Sequence, residues 1–305
     1  MPGTSFRGPL PALTETQTAL AEALRRDVER LAGQIGERNL HRVENLDAAA
    51  QWIDQSLSHA GYEVARQAYE VSGRTCVNLA VELGGAARAA EIVVVGAHYD
   101  TVLGCPGAND NATGVAATLA LARLLAAQTS ARTLRLLFFV NEEPPHFQTD
   151  QMGSWVYAKR CRLRGENIVA MLSLETIGYY RDEKGTQSYP SPLNLVYPST
   201  GNFIAFVGNY ASRRLVRQAV AAFRSHASFP SEGGALPGAL PGVGWSDHWA
   251  FWQEDYPALM VTDTAPFRYP HYHQPTDTAE RIDCERMARM VDGLRRVVEN
   301  LVNPE

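Results

Sequence analysis

The chain has 305 residues, 45% of them hydrophobic and 20% charged, with a formal net charge of -5. This length and apolar content allow a sizeable core, in one large domain or two small ones, and argue against a disordered chain. No run of Lys or Arg offers a phosphate-binding face, which excludes nucleic acid as the expected partner, and no segment approaches the roughly 18 consecutive apolar residues of a membrane span.

Taken in chain order, Leu20, Leu24, Val28, Leu31 and Ile35 recur at helical spacing, and a second helix is expected over residues 46–59, ended by Gly61. The period then shortens. Residues 63–71 and 77–83 read as strands, and 84–90 as a turn. "EIVVVGAH" (91–98) reads as a strand covered on both faces, "TLRLLFFVNEE" (133–143) and "IVAMLSLET" (168–176) as further buried strands, and "ALMVTDT" (258–264) as a later strand. A further strand is expected at 203–208. Helices are expected at 114–128, 154–163 and 212–225, with a last one whose stripe runs from Met287 to Leu301. Residues 179–200 and 228–245, rich in Pro, Gly and Tyr, read as loops. The alternation predicts an α/β three-layer sandwich with a mixed, centrally parallel sheet flanked by helices. Cys76, Cys105, Cys161 and Cys284 lack C-x-x-C spacing and read as free thiols. No basic start followed by an apolar stretch opens the chain, so a cytoplasmic location is expected.

Ligands in such sheets bind beyond the carboxyl ends of the strands, and the polar clusters fall there. His98 and Asp100 end the first buried strand. A His at a strand end is more often structural, but the pair also fits a metal ligand with a carboxylate neighbour. Asp110 lies in "GANDNATG", which reads either as turn and cap chemistry for the next helix or as a source of one spare carboxylate. Glu142 and Glu143 put two like charges at the rim of a core, either a solvated strand end or a pair offset by a cation. Glu175 repeats the pattern, and His273 follows the strand at 258–264. Two His and three acids are too many for one tetrahedral ion with an open position. They suit two ions sharing a carboxylate, with Asp110 as the natural bridge and one of the paired Glu left as a base.

The stretches "GAHYDT", "PGANDNATG", "NEE", "MGSWVYA", "LET", "SDHWAFW" and "YHQPTDT" together resemble the co-catalytic zinc peptidases, a family holding leucyl-type aminopeptidases, glutamate carboxypeptidases and glutaminyl cyclases. The resemblance implies a single zinc peptidase domain over residues 1–305, with the helices of 14–60 packing on it. It implies two zinc ions, one held by His98, Asp110 and Glu175, the other by Asp110, Glu143 and His273. Glu142 would be the general acid/base, Asp100 would orient His98, and Tyr272 would donate to the oxyanion. Asp247 and His248 resemble residues lining the substrate pocket; the aromatics Trp245, Trp249, Phe251, Trp252 and Phe267 read equally as an apolar pocket or as core. His146, in a Pro-Pro insertion after the paired Glu, is read as a rim or pocket residue. The expected activity is release of N-terminal residues from peptides or aminoacyl small molecules. The alternatives are a glutaminyl cyclase using a single zinc and a non-enzymatic binding module.

Overall fold

The computed structural model describes residues 1–304. Thr14 opens α1 (Glu15–Val28) with a capping box: its hydroxyl accepts the backbone N–H of Gln17, whose side chain accepts the N–H of Thr14. The helix widens into a π turn through Ile35 and stops at Gly36, where φ is 80°. After α2 (Val43–His59) come the antiparallel strands β1 (Ala65–Val71) and β2 (Arg74–Leu83) and then β3 (Arg88–His98). The chain continues through α3 (Thr113–Leu125), β4 (Arg132–Phe139), α4 (Gly153–Leu163) and β5 (Asn167–Glu175). It ends with β6 (Ile204–Asn209), α5 (Arg213–His226), β7 (Ser231–Leu236), α6 (His248–Gln253), β8 (Ala258–Thr262) and α7 (Cys284–Val302).

The eight strands form one sheet in the order β1-β2-β4-β3-β5-β8-β6-β7. Its centre, β4-β3-β5-β8, is parallel, while β2 joins β4 and β6 joins β8 antiparallel. The sandwich is therefore mixed and centrally parallel, as the alternating pattern predicts. Side chains alternate across each strand, so the continuous apolar run of β3 feeds two cores. Val93, Val95 and Ala97 join the helices α1, α2, α3, α5 and α7, whereas Ile92 and Val94 face α4 and α6 with Phe139, Tyr157 and Phe251. Each buried Val, Ile or Phe among them contributes about 1.5–3 kcal/mol.

Several elements differ from expectation: β3 starts at Arg88, inside the stretch read as a turn, and β4 ends at Phe139, so Glu142 and Glu143 lie beyond the strand. Strand β7 lies in the stretch read as a loop: "SEGGAL" has no alternation, yet it pairs in parallel with β6 as the sheet's last strand. The segment "HWAFWQ" forms the short helix α6, too brief for a helical period to register. The four cysteines are free and buried. No helix among the described residues is long and apolar enough to cross a membrane.

Candidate metal centre

Four parallel strands end on the same edge, and each delivers part of one cluster there. His98 is the last residue of β3 and Glu175 the last of β5. Glu142 and Glu143 follow β4, and His273 lies on the turn beyond β8. Asp110 reaches the edge from the loop between β3 and α3. Gly107, at φ 64°, turns that loop where a Cβ would meet the Thr101 side chain at 2.3 Å. Gly114 lets α3 start against β5, since a Cβ there would lie 2.4 Å from the Leu174 carbonyl oxygen. Asn111 Oδ1 accepts the Gly114 N–H at 3.1 Å in the first turn of α3.

The Asp110 carboxylate turns one oxygen to each imidazole. Its Oδ1 lies 3.2 Å from His98 Nε2 and its Oδ2 lies 3.1 Å from His273 Nε2. Glu175 Oε2 is 3.2 Å from His98 Nε2, and Glu143 Oε2 is 3.2 Å from His273 Nε2. The five side chains thus divide into two triads, His98–Asp110–Glu175 and Asp110–Glu143–His273. The spacing matches zinc: bonds of about 2.0–2.2 Å in a tetrahedron put neighbouring ligands about 3.3 Å apart. Hydrogen bonding does not account for the cluster. His98 Nε2, His273 Nε2 and Asp110 Oδ1 are buried yet have no hydrogen-bond partner of acceptable direction, which is the state of atoms aimed at a cation.

The electrostatics point the same way. Burial holds the Glu142 carboxyl well above the usual range; His98 opposes this, while Glu143, Glu175 and Asp247 add to it. Burial, then Asp110, pushes Glu143 up to about 7 and Glu175 up to about 8. Burial disfavours a charged His98, but the Glu142 and Glu175 carboxylates outweigh it and hold its pKa well above the ordinary 6.5. Carboxylates this crowded either hold protons or face a compensating cation.

The surrounding residues fix the cluster's geometry. His98 Nδ1 lies 3.2 Å from the Asp100 carbonyl oxygen and 3.5 Å from its carboxylate, so both groups of Asp100 stand behind the imidazole. Ser246, to which no role was attached in the "SDH" stretch, donates to Glu175 Oε2 at 2.8 Å. Asn141, Thr176 and His273 all have positive φ, at 60°, 46° and 56°, so backbone strain gathers next to or on the clustered residues. Glu142 is not a member of either triad, and its Oε2 stands 3.8 Å from His98 Nε2. Tyr272 stacks on the His273 ring with centroids 3.9 Å apart. Burial, then Asp110 and Glu143, keeps its phenol protonated to well above the usual pH.

Glu175 and Tyr272 also border a cavity of about 80 Å³. Its wall is otherwise almost wholly apolar, with Tyr189, Leu193, Tyr197, Phe203, Met260 and Phe267 among its residues. Trp245 and Phe267 of the expected aromatics reach it, whereas Phe251 belongs to the second core with Trp249 and Trp252 packed against it. Asp247 and His248 do not reach it: both are fully buried, and His248 Nε2 bonds the Val243 carbonyl oxygen at 2.8 Å. His146 sits half-buried with Nδ1 3.1 Å from Gln151 Oε1, outside both triads.

Residues 78–298 match the profile of peptidase family M28. This chain belongs to peptidase family M28. It is 37% identical to the uncharacterized protein YfbL of Escherichia coli strain K12, over 92% of this chain and 88% of that protein. It is 26% identical to leucine aminopeptidase 1 of Arthroderma otae over 68% of this chain, and to aminopeptidase YwaD of Bacillus subtilis over 70%. The chain spans 54% of the first and 42% of the second. Among solved structures, a zinc aminopeptidase of Bacillus subtilis superposes with a TM-score of 0.74 at 15% identity, covering 93% of this chain and 96% of that one. A glutaminyl cyclase of Fimbriiglobus ruber gives 0.68 at 19%, covering 96% and 97%. At these identities the likeness is one of fold. The chain is a metallopeptidase by family, and zinc is the metal that the family and this donor set support.

Proposed function

We propose that this M28 protein is an aminopeptidase with a dinuclear zinc site, in which Asp110 is the shared ligand. His98 and Glu175 complete one ion's protein ligands, and Glu143 and His273 the other's. The observation that carries the reading is the Asp110 carboxylate, whose two oxygens face the two different imidazoles. A single-zinc cyclase needs only three of these five ligands and leaves the remaining carboxylate and imidazole without a purpose.

When bound, the two ions supply Lewis acidity to the scissile carbonyl and lower the pKa of the attacking water. Glu142, outside the ligand set and raised by burial, takes a proton from that water and returns it to the leaving amine. Asp100 holds the turn that presents Glu142. The Tyr272 hydroxyl, kept protonated, donates to the oxygen on which negative charge develops. The apolar cavity beside Glu175 and Tyr272 receives the side chain of the N-terminal residue and excludes water from it.

The test is zinc content by elemental analysis, together with assays of a Leu-initiated dipeptide carrying a free or an acetylated amine. Two zinc ions per chain and cleavage of the free form alone are expected. Ammonia release from a Gln-initiated peptide by a one-zinc protein overturns this in favour of the cyclase.

A further inference from the structure

Two buried charges outside the ligand set grip the loop that carries Asp110, one through its carbonyls and the other through its amides. Arg38, fully buried between the first helix and α2, spends its guanidinium on backbone oxygens. Its Nε donates to Tyr99 O at 2.8 Å, its Nη1 to Pro106 O at 2.7 Å, and its Nη2 to Gly107 O at 3.1 Å. The same Nη1 ties the loop to the end of the first helix through Leu31 O and Gly36 O. Asp277, also fully buried, takes the peptide N–H groups that follow. Its Oδ1 accepts Asn109 N–H at 2.8 Å, its Oδ2 accepts Asp110 N–H at 3.1 Å, and its carbonyl oxygen accepts Ala108 N–H at 3.2 Å. The Tyr269 hydroxyl donates to Oδ1 as well, at 2.8 Å.

A buried charge is tolerated only where hydrogen bonds satisfy it. Here the partners of both charges belong largely to one loop, so the charges are satisfied only while that loop keeps its path. The loop's peptide groups in effect bridge a buried cation and a buried anion. Asp110 depends on this because, among the described residues, its carboxylate contacts the two imidazoles and accepts no hydrogen bond from elsewhere. Its position is therefore set through its backbone. Asp277 N–H bonds Gln274 O at 3.0 Å, so the same residue joins the Asp110 backbone to the turn bearing His273.

We infer that Arg38 and Asp277 are positioning residues that hold Asp110 where it can be shared between two ions before any ion arrives. The inference rests on the reading of Asp110 as the shared ligand.

The experiment compares the full-length protein with Asp277→Asn and Arg38→Lys, reading zinc affinity by chelator competition and amide hydrogen exchange in the metal-free state. Asp277→Asn keeps the shape but presents a donor to an N–H; Arg38→Lys keeps the charge but loses the fork. Each is expected to weaken zinc binding about 10- to 100-fold, the usual consequence of removing a residue that orients ligands. In metal-free Asp277→Asn the amides of Asn109 and Asp110 should exchange faster. Arg224→Met is the control, since Arg224 also bonds carbonyls, those of Pro2, Gly3 and Ser231, far from the cluster. It should lower the melting temperature and leave zinc affinity unchanged. Folded Asp277→Asn and Arg38→Lys proteins that hold zinc like the parent overturn the inference, and either variant alone suffices if the other does not fold. A parent chain that takes up no zinc defeats the metal reading instead. In that case unchanged exchange at Asn109 and Asp110 in Asp277→Asn still rejects the positioning role, and faster exchange supports it.

Discussion

Asp100 and Glu142 are joined through the backbone: the N–H of Glu142 donates to Asp100 Oδ1 at 3.1 Å, and the next N–H, of Glu143, donates to Oδ2 at 3.2 Å. One carboxylate therefore fixes the turn bearing both the proposed base and a proposed ligand, while standing 3.5 Å from His98 Nδ1. Asp100→Asn keeps an acceptor for one of the two N–H groups and presents its own NH₂ to the other. The expected result is zinc affinity weakened about 10- to 100-fold together with a fall in kcat. Zinc titration of the folded variant checks it. Retained affinity with only the pH profile altered would mean that Asp100 acts on His98 alone.

Glu142 makes the sharpest separation between chemistry and metal binding. Its carboxylate belongs to neither triad, so Glu142→Gln should keep zinc at the parent stoichiometry. It should nonetheless lower kcat by about 10²- to 10⁴-fold, the range that a positioned base supplies. Steady-state kinetics and elemental analysis on one preparation decide this. Parallel loss of zinc and turnover would make Glu142 a ligand in fact.

The parts of this protein visible in its sequence are those that residue type and period encode. Val93 and Val94 point to opposite cores, and that double burial is what an unbroken β-branched run announces. His98, Asp110, Glu143, Glu175 and His273 each have an ordinary reading as a strand end or turn, and it is the set of ligand types at strand ends that marks them. Roles that depend on backbone partners left no such trace. Arg38 serves carbonyl oxygens, which every residue possesses, and Asp100's second task is to accept two N–H groups forty residues further along. Strand β7 pairs with β6 through its backbone despite carrying Gly233 and Gly234, so neither propensity nor alternation marks it. Only the resemblance implies Asp247 and His248 at the substrate pocket; the wall of this cavity includes Val243 and Trp245 and neither of those two.

Metal removal should expose a pH dependence that zinc suppresses. In the metal-free fold Glu143 is raised from its ordinary 4.5 to about 7 and Glu175 to about 8, by burial first and Asp110 next. Between those limits the folded state binds more protons than the unfolded one, so the stability these groups favour is present below about pH 4.5 and is lost as pH rises through about 8. His273 is raised to about 10, its burial outweighed by contacts with Asp110 and Glu143. Its contribution is complete below 6.5 and is lost as pH rises through about 10, which extends the same downward slope. The metal-free protein should therefore melt at progressively lower temperature from mildly acid to alkaline pH. The zinc-loaded protein should show a much flatter profile, and zinc uptake near neutral pH should release protons. Melting curves with and without chelator test both statements; parallel profiles would remove the carboxylate cluster as the cause.

The cavity predicts which N-terminal residues are accepted. Its wall is apolar apart from groups such as Glu175 and Tyr272, so Leu, Met and Phe should be preferred over Ala, each methylene contributing about 1–3 kcal/mol. Asp and Lys should be poor because the wall offers their charges little to pair with. Ala205 lies in that wall, is buried and is not a proposed ligand, so Ala205→Leu narrows the cavity while replacing none of the ligands. The variant should lose kcat/KM on Phe- and Leu-initiated peptides by about tenfold or more while keeping its activity on Ala-initiated ones. Its zinc content should match the parent's, which separates a blocked pocket from a disturbed metal centre. Equal losses on all three substrates with zinc retained would mean that the N-terminal side chain binds elsewhere.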